Sequence, residues 1–291
     1  LGQKAFKSFT TSGENVVVGF EAADAITTGG SNVVMGYRGL TAATTANNNV
    51  AIGKDVMENV PSGQAVANVV AIGVAAAKGD ASNTTTGING IVAIGVSALQ
   101  SITTGYRNVA IGYQAGKDVT TGYGNTYLGW EAGIEDTTGF ENTFLGQYAG
   151  HESNVTTHAS KNNTYVGSYA GEQIDSGASN VAIGRAAMRG TDEADNYALN
   201  NVAVGFSALG TTTDGQYNVA IGSGAGSKIT NGARNVLIGA ESNPSAVGST
   251  NQVVIGYNIS GSEDNQVTIG MNTTTIRNEF DTDNAWTQAS D

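Results

Sequence analysis

Hydrophobic and polar positions alternate over only a few residues at a time, and each short apolar run closes on a glycine. Asn108-Val109-Ala110-Ile111-Gly112 is the clearest copy. Fifteen such glycines recur: Gly19, Gly36, Gly53, Gly73, Gly95, Gly112, Gly129, Gly146, Gly167, Gly184, Gly205, Gly222, Gly239, Gly256 and Gly270. Nine of the fourteen gaps between them are 17 residues, and the others are 20, 22, 21, 21 and 14. A period this regular predicts a stack of one small unit, about fifteen coils of an all-β solenoid, instead of a set of globular domains.

Alignment on the glycine defines the coil. The residue before it is Val, Met, Ile or Leu, and three before it stands Val or Thr in every copy. Side chains alternate faces along a strand, so these two positions share a face, which is expected to be buried. The position between them is apolar too, as in Ala51, Ala110, Ala182, Ala220, Leu237 and Val254. A strand apolar on both faces must be covered on both. The coil's own second half can cover one; neighbouring subunits are expected to cover the other, which predicts a homo-oligomer.

Asparagine stands four before the glycine in most coils, from Asn15 and Asn32 to Asn218 and Asn235. Stacked copies could form an amide ladder. The glycine is expected to take a positive φ or to allow close backbone approach. After it, a small residue at the third position (Ala22, Ala98, Ala208) and an apolar one at the seventh (Ile26, Ile102, Val119) predict a second, shorter strand. Turns such as Thr103-Thr104-Gly105 lead into the next asparagine. No 3.6-residue apolar spacing persists, so a helical reading fails. The repeat region covers 15–275, with a lead-in at 1–14 and a tail at 276–291.

Composition narrows the function. Glycine reaches 41 residues with only 2 prolines, which excludes collagen, and 40% hydrophobic residues is too many for a disordered chain. The 13 basic and 25 acidic residues give a net charge of −12, and no basic cluster suits nucleic acid. There is no cysteine for a disulfide or thiolate site. No apolar run approaches the roughly 20 residues that span a bilayer, so membrane insertion is not expected. Leu1 is not an initiator methionine, and the chain reads as a fragment or processed product.

No nucleophile-base-acid set can be assembled, so no enzymatic activity and no cofactor are expected. His151 and His158, seven residues apart in one enlarged turn, match no metal spacing. The acid clusters Glu135-Asp136 and Asp192-Glu193-Asp195 read as solvated charge in turns and not as the paired carboxylates of a glycosidase. Aromatic residues are more informative. Ten of the 20 (11 Tyr, 7 Phe, 2 Trp) fall between Tyr106 and Tyr169. Within that stretch the middle strand position becomes Tyr127, Phe144 and Tyr165. The belt is either a sugar-stacking surface or a repacked interior.

Four gaps exceed 17 residues, and their additions fall in the turns 54–68, 74–90, 147–163 and 185–200. Insertions survive in a solenoid only where they leave the ladder intact, so they should project sideways. The 147–163 turn is the first candidate for recognition, with Tyr148, His151, Glu152, Asn154, His158 and Lys161 beside Trp130 and Tyr169.

The copies Asn108–Gly112, Asn180–Gly184 and Asn218–Gly222 resemble the head repeats of trimeric autotransporter adhesins, and similar repeats occur in the fibres of tailed bacteriophages. The resemblance covers roughly residues 15 to 275 and implies a left-handed parallel β-roll and a homotrimer. Longer coils with turns such as Tyr123-Gly124-Asn125-Thr126 look more like the phage versions. At the C-terminal end, Ser290-Asp291 resembles the processing junction before a self-cleaving intramolecular chaperone of endosialidase type. The resemblance therefore implies a virion tail-fibre segment that binds a host-surface glycan or protein and contacts other tail proteins. An adhesin head on a bacterial surface is the alternative, and a polysaccharide-degrading spike a third reading.

Overall fold

The computed structural model describes residues 2–11, 13–60, 65–80, 87–152, 160–191, 196–279 and 287–289. It is all-β, with no helix among the described residues, and winds as a β-solenoid of about 14 turns. Two compact units divide it, Leu1–Asn142 and Thr143–Asp291. The first holds β1 (Val16–Val18), β2 (Val33–Met35), β3 (Thr45–Asn47), β4 (Val50–Ile52), β5 (Ala65–Ala67), β6 (Val70–Ile72), β7 (Val92–Ile94), β8 (Val109–Ile111) and β9 (Thr126–Leu128). The second holds β10 (Thr143–Leu145), β11 (Thr164–Val166), β12 (Val181–Ile183), β13 (Val202–Val204), β14 (Val219–Ile221), β15 (Val236–Ile238), β16 (Val253–Tyr257), β17 (Gln266–Met271), β18 (Thr274–Glu279) and β19 (Thr287–Ala289).

Within each unit, the strands that end on the repeat glycine pair in parallel and in strict register. Val92 lies beside Val109, Ala93 beside Ala110 and Ile94 beside Ile111. The longer gaps do not disturb this: Val50 still meets Val70, Val70 meets Val92, Thr143 meets Thr164 and Val181 meets Val202. The added residues are therefore accommodated outside the ladder. Part of each enlarged turn lies outside the described residues.

The inward face of the strand corrects the sequence-based expectation. The middle residue is the one enclosed: Ala51, Ala110, Ala182, Ala203 and Ala220 are completely buried. The flanking Val and Ile, expected inside, point away from the coil's interior and stay partly exposed, with Val16 at 51% and Ile221 at 42%. The reason is the thinness of the roll. Its interior must also hold the alanine three residues after the glycine and the apolar residue seven after it, both fully buried at Ala98 and Ile102. The middle position therefore often carries alanine, and where it carries Val34, Leu237 or Val254 that side chain is fully buried too.

The segment after the glycine is not the expected second strand. Residues two and four past the glycine are left-handed in coil after coil, at φ 53° and 50° for Glu21 and Ala23 and at 51° and 50° for Ser207 and Leu209. A strand sends successive side chains to opposite faces. This winding instead sends two in a row inward, so that Ala98 and Leu99, and likewise Ala208 and Leu209, are both fully buried. Its backbone is still paired from coil to coil: the Asp55 N–H donates to Tyr37 O at 2.9 Å and the Met57 N–H to Ala76 O at 3.1 Å. The second β ladder lies elsewhere, six to eight residues before the glycine. There β3 pairs with β5, and single bridges join Tyr123 to Phe140 and Ala178 to Leu199.

The repeat glycine meets both expectations. Gly112 has φ 142°, and a Cβ placed there would strike the carbonyl oxygen of Gly129 in the next coil. The asparagine ladder also forms. Asn201 donates from its backbone N–H and its Nδ2 to Asn180 Oδ1, at 3.0 and 3.1 Å, and from Nδ2 to Gly215 O at 2.7 Å. Asn218 and Asn235 repeat the arrangement, all buried. In the first unit the ladder is interrupted where Val69 and Ile91 stand in the asparagine position, each following an enlarged turn and each fully buried. Towards the C-terminal end the strands lengthen, Gln252 takes the asparagine position, and β18 folds back antiparallel on β17, which ends the parallel winding.

Asn218 Oδ1 accepts two bonds from Asn235, and its Nδ2 donates to Asn201 and to Gly232. Replacing it by alanine strands these buried partners, and a loss of about 2–4 kcal/mol is expected. Urea unfolding of Asn218→Ala measures it, and a change below about 0.5 kcal/mol would refute an energetic role for the ladder.

Candidate functional site

The aromatic belt separates into an inner and an outer set. Tyr127, Phe144 and Tyr165 are fully buried, and Phe144 stacks on Tyr165 with centroids 4.9 Å apart. These three are core, as the repacking alternative had it. Space for them comes from the position four past the glycine. Leu40, Met57, Leu99, Met188 and Leu209 occupy it where the strand carries a smaller residue, but Gly116, Gly133, Gly150 and Gly171 occupy it around the large rings. A Cβ on Gly116 would lie 2.8 Å from the Tyr127 ring, and one on Gly150 would meet Phe144.

Tyr127 brings a polar partner inside with it. Its hydroxyl donates to Asp136 Oδ2 at 2.7 Å, which also accepts from Asn142 Nδ2 at 3.1 Å. Asp136 occupies the place of the apolar residue seven past the glycine and is fully buried, so the reading of it as solvated charge was wrong. A buried phenol needs an acceptor, and this carboxylate supplies it. Neighbouring Glu135 is exposed, while Asp192, Glu193 and Asp195 lie outside the described residues.

The outer set forms stacks at the coil spacing. In the first unit Tyr106, Tyr123 and Phe140 stack in sequence at 5.1 and 5.2 Å, nearly parallel. Trp130, 48% exposed, lies on Tyr113 at 4.3 Å. In the second unit Tyr148 stacks on Tyr169 at 5.3 Å and meets His151 edge-on at 5.1 Å. Glu152 is tied to the next coil through its backbone N–H, which donates to Glu172 O at 2.8 Å. Lys161 is exposed and bridges Ala178 in the second ladder. Asn154 and His158 lie outside the described residues, as do Ser290 and Asp291. Of the residues named from sequence, the structure brings Tyr148, His151 and Tyr169 together.

Two arginines next to Tyr169 escaped the sequence reading. The Arg185 guanidinium lies 5.8 Å from the Tyr169 ring centroid and 5.7 Å from that of Phe206, in the coils on either side. Arg189 is 6.0 Å from Tyr169, and its Nε donates to Glu172 Oε2 at 2.6 Å. They border an open groove of about 490 Å³ that also takes in Ser207, Gly210, Thr211 and Ser227. The signal was present in the columns just after the glycine, but the 21-residue gap between Gly184 and Gly205 conceals that Arg185 and Phe206 are stacked neighbours. Among the described residues no group of three or more His, Cys, Asp or Glu could hold a metal ion. Compared with family models, curated proteins and solved structures, the chain matches none.

The interior makes two testable statements. Phe144→Ala should cost about 3–5 kcal/mol. Adding Gly150→Leu should restore a large part of it, because leucine holds φ 50° at the same position in Leu40 and Leu209. A double-mutant cycle with no coupling would refute the compensation. Burial, aided by the Asp136 carboxylate, pushes the Tyr127 phenol well above its ordinary value of 10.0. The unfolded chain then loses that proton first, so the phenol's contribution is intact below about pH 10 and declines as pH rises. Tyr127→Phe should be less stable near neutrality yet lose less stability above about pH 10, as urea unfolding across pH would show.

Proposed function

We propose that this chain is a structural and receptor-binding segment of a bacteriophage tail fibre, a homotrimer that attaches to a host-surface glycan or protein without catalysis. The observation that carries this reading is the outward strand face. Val18, Met35, Leu128, Leu145, Ile183 and Ile238 repeat on it at coil after coil, each more than a third exposed. Apolar stripes of that extent mark protein contacts. Identical coils stacked in register offer identical stripes, which suits closed association of identical chains. The left-handed sense, the number three and the phage assignment come from the resemblance of the Asn-Val-Ala-Ile-Gly repeats.

Attachment is supported by the exposed aromatics and by turns enlarged without disturbing the register of the strands that end on the glycine. Aromatic faces beside polar groups suit saccharide recognition, since pyranose rings present apolar C–H faces. An adhesin head would fit the same repeats, and the flanking sequence separates the two: a self-cleaving chaperone for the fibre, a stalk and membrane anchor for the adhesin.

Sedimentation should give three times the chain mass of 29.5 kDa, and Ile221→Asp should weaken the assembly while the β signal remains. A folded monomer at micromolar concentration would overturn the assembly. Labelled trimer incubated with a panel of bacterial strains should adsorb to a subset of them. Adsorption to none would overturn the attachment role.

A further inference from the structure

Arg185 is the least expected charge on this molecule. Only 13 of its residues are basic against 25 acidic, yet two arginines stand four positions apart on one groove. Arg189 is answered by Glu172. Among the described residues no carboxylate pairs with Arg185, which is exposed and held between two rings. An arginine kept for stability would be expected to have an acceptor for its fork of donors. Ring contacts fix the guanidinium by its face and leave its N–H edge free for something else.

The rest of the groove has a complementary character. Thr211 Oγ1 spends its proton on the carbonyls of Ser227 and Ile229, at 2.7 and 3.0 Å, so it faces the groove as an acceptor. Ser207 adds a hydroxyl that can donate or accept, and its backbone N–H is already bound to Arg185 O at 3.0 Å, which fixes it beside the arginine. Gly210 contributes no side chain to the lining, and Tyr169 borders one side. The volume of about 490 Å³ lies within the range of small-ligand sites. It is large enough for one or two sugar rings.

We infer that this groove binds an anionic saccharide, its carboxylate or ester anion accepting from Arg185 and its hydroxyls meeting Ser207 and Thr211. The inference rests on the attachment reading and assigns its ligand class and position. Discrimination would come from the charge. An exposed guanidinium held beside two aromatic rings gains more from a bidentate anion than from a neutral hydroxyl. A neutral sugar would leave the arginine edge to water.

The test is calorimetric titration of the assembled chain with tetragalacturonate, its methyl ester and a sulfated carrageenan tetrasaccharide. Binding of the carboxylated or the sulfated probe is expected, with the methyl ester weaker than tetragalacturonate if the carboxylate is the anion. Arg185→Gln should weaken it roughly tenfold to hundredfold, the scale of one charged hydrogen-bonded contact, and Arg185→Lys less. Arg185 is exposed, so an unchanged thermal midpoint verifies that the variants fold. The inference is overturned if neither charged probe binds, if the ester binds as well as the acid while the sulfated probe does not bind, or if Arg185→Gln binds like the parent. Cell adsorption keeps the two readings apart. Parent and Arg185→Gln adsorbing equally would remove this site and leave the attachment role. A parent that adsorbs to no strain, yet binds a charged probe through Arg185, would do the reverse.

Discussion

Each coil must lay its glycine against the carbonyl of the next coil's glycine, and nearly every other feature depends on that contact. Gly36, Gly53 and Gly73 have φ values of 134°, 145° and 136°, and a Cβ on any of them would collide with backbone, which cannot move aside as a side chain can. The contact therefore fixes the register of neighbouring coils. Once the register is fixed, every position of the repeat lies over its counterpart. Side chains are then selected by whether they tolerate a copy of themselves one strand spacing away.

Asparagine tolerates this best, because its amide carries both donors and an acceptor and can bond to an identical neighbour. Planar rings tolerate it as stacks, which is why Tyr106, Tyr123 and Phe140 follow one another nearly parallel. Like charges do not. In the first unit the position two past the glycine alternates in sign, from Lys4 to Glu21 to Arg38, with Lys4 and Glu21 at 2.8 Å, and Arg38 continues to Glu58 at 2.6 Å. The low proportion of charged residues, 13%, follows from the same rule. The exposed Lys4–Glu21 pair contributes little stability, and the value of the alternation is the avoidance of like-charge columns.

The ladder was legible because it is written in residue type: glycine, asparagine and the alanine three past the glycine recur at fixed offsets. The inside of the roll was not. Val109, Ala110 and Ile111 are all apolar, and periodicity cannot tell which face is enclosed when both are apolar. The space available decides it, and that depends on residues on the far side of the coil. The left-handed residues were hidden for a different reason. Glu21, Arg38 and Leu40 are not types that advertise a positive φ. They are held there by coil-to-coil hydrogen bonds, a tertiary cause without a local signature. Asp136 was misread because a carboxylate in a turn is ordinarily solvated, and only the Tyr127 hydroxyl beside it explains its burial. Of the candidate site, Tyr148 and Tyr169 were legible as aromatics of the belt, and the structure leaves them half-buried, whereas Arg185 contacts rings in two other coils.

The division of labour within a coil also explains how such a chain can acquire a binding surface without loss of fold. The strand's middle position and the residues three, four and seven past the glycine are coupled through volume, as Phe144 and Gly150 show. A change at one demands a change at another. The residue just after the glycine carries no such constraint. It is Phe20, Tyr37, Lys54, Val74, Trp130, Arg185 and Ser223 in different coils, without altering the pairing of the strands before it. A column that tolerates aromatic, basic, aliphatic and hydroxyl residues alike is free to be set by a ligand. Stacking then places each such residue within reach of those in neighbouring coils, in the same column or the next one along. Arg185 between Tyr169 and Phe206 has this construction: three residues from three coils, with Arg185 and Phe206 both in the position just after the glycine and Tyr169 one residue further on.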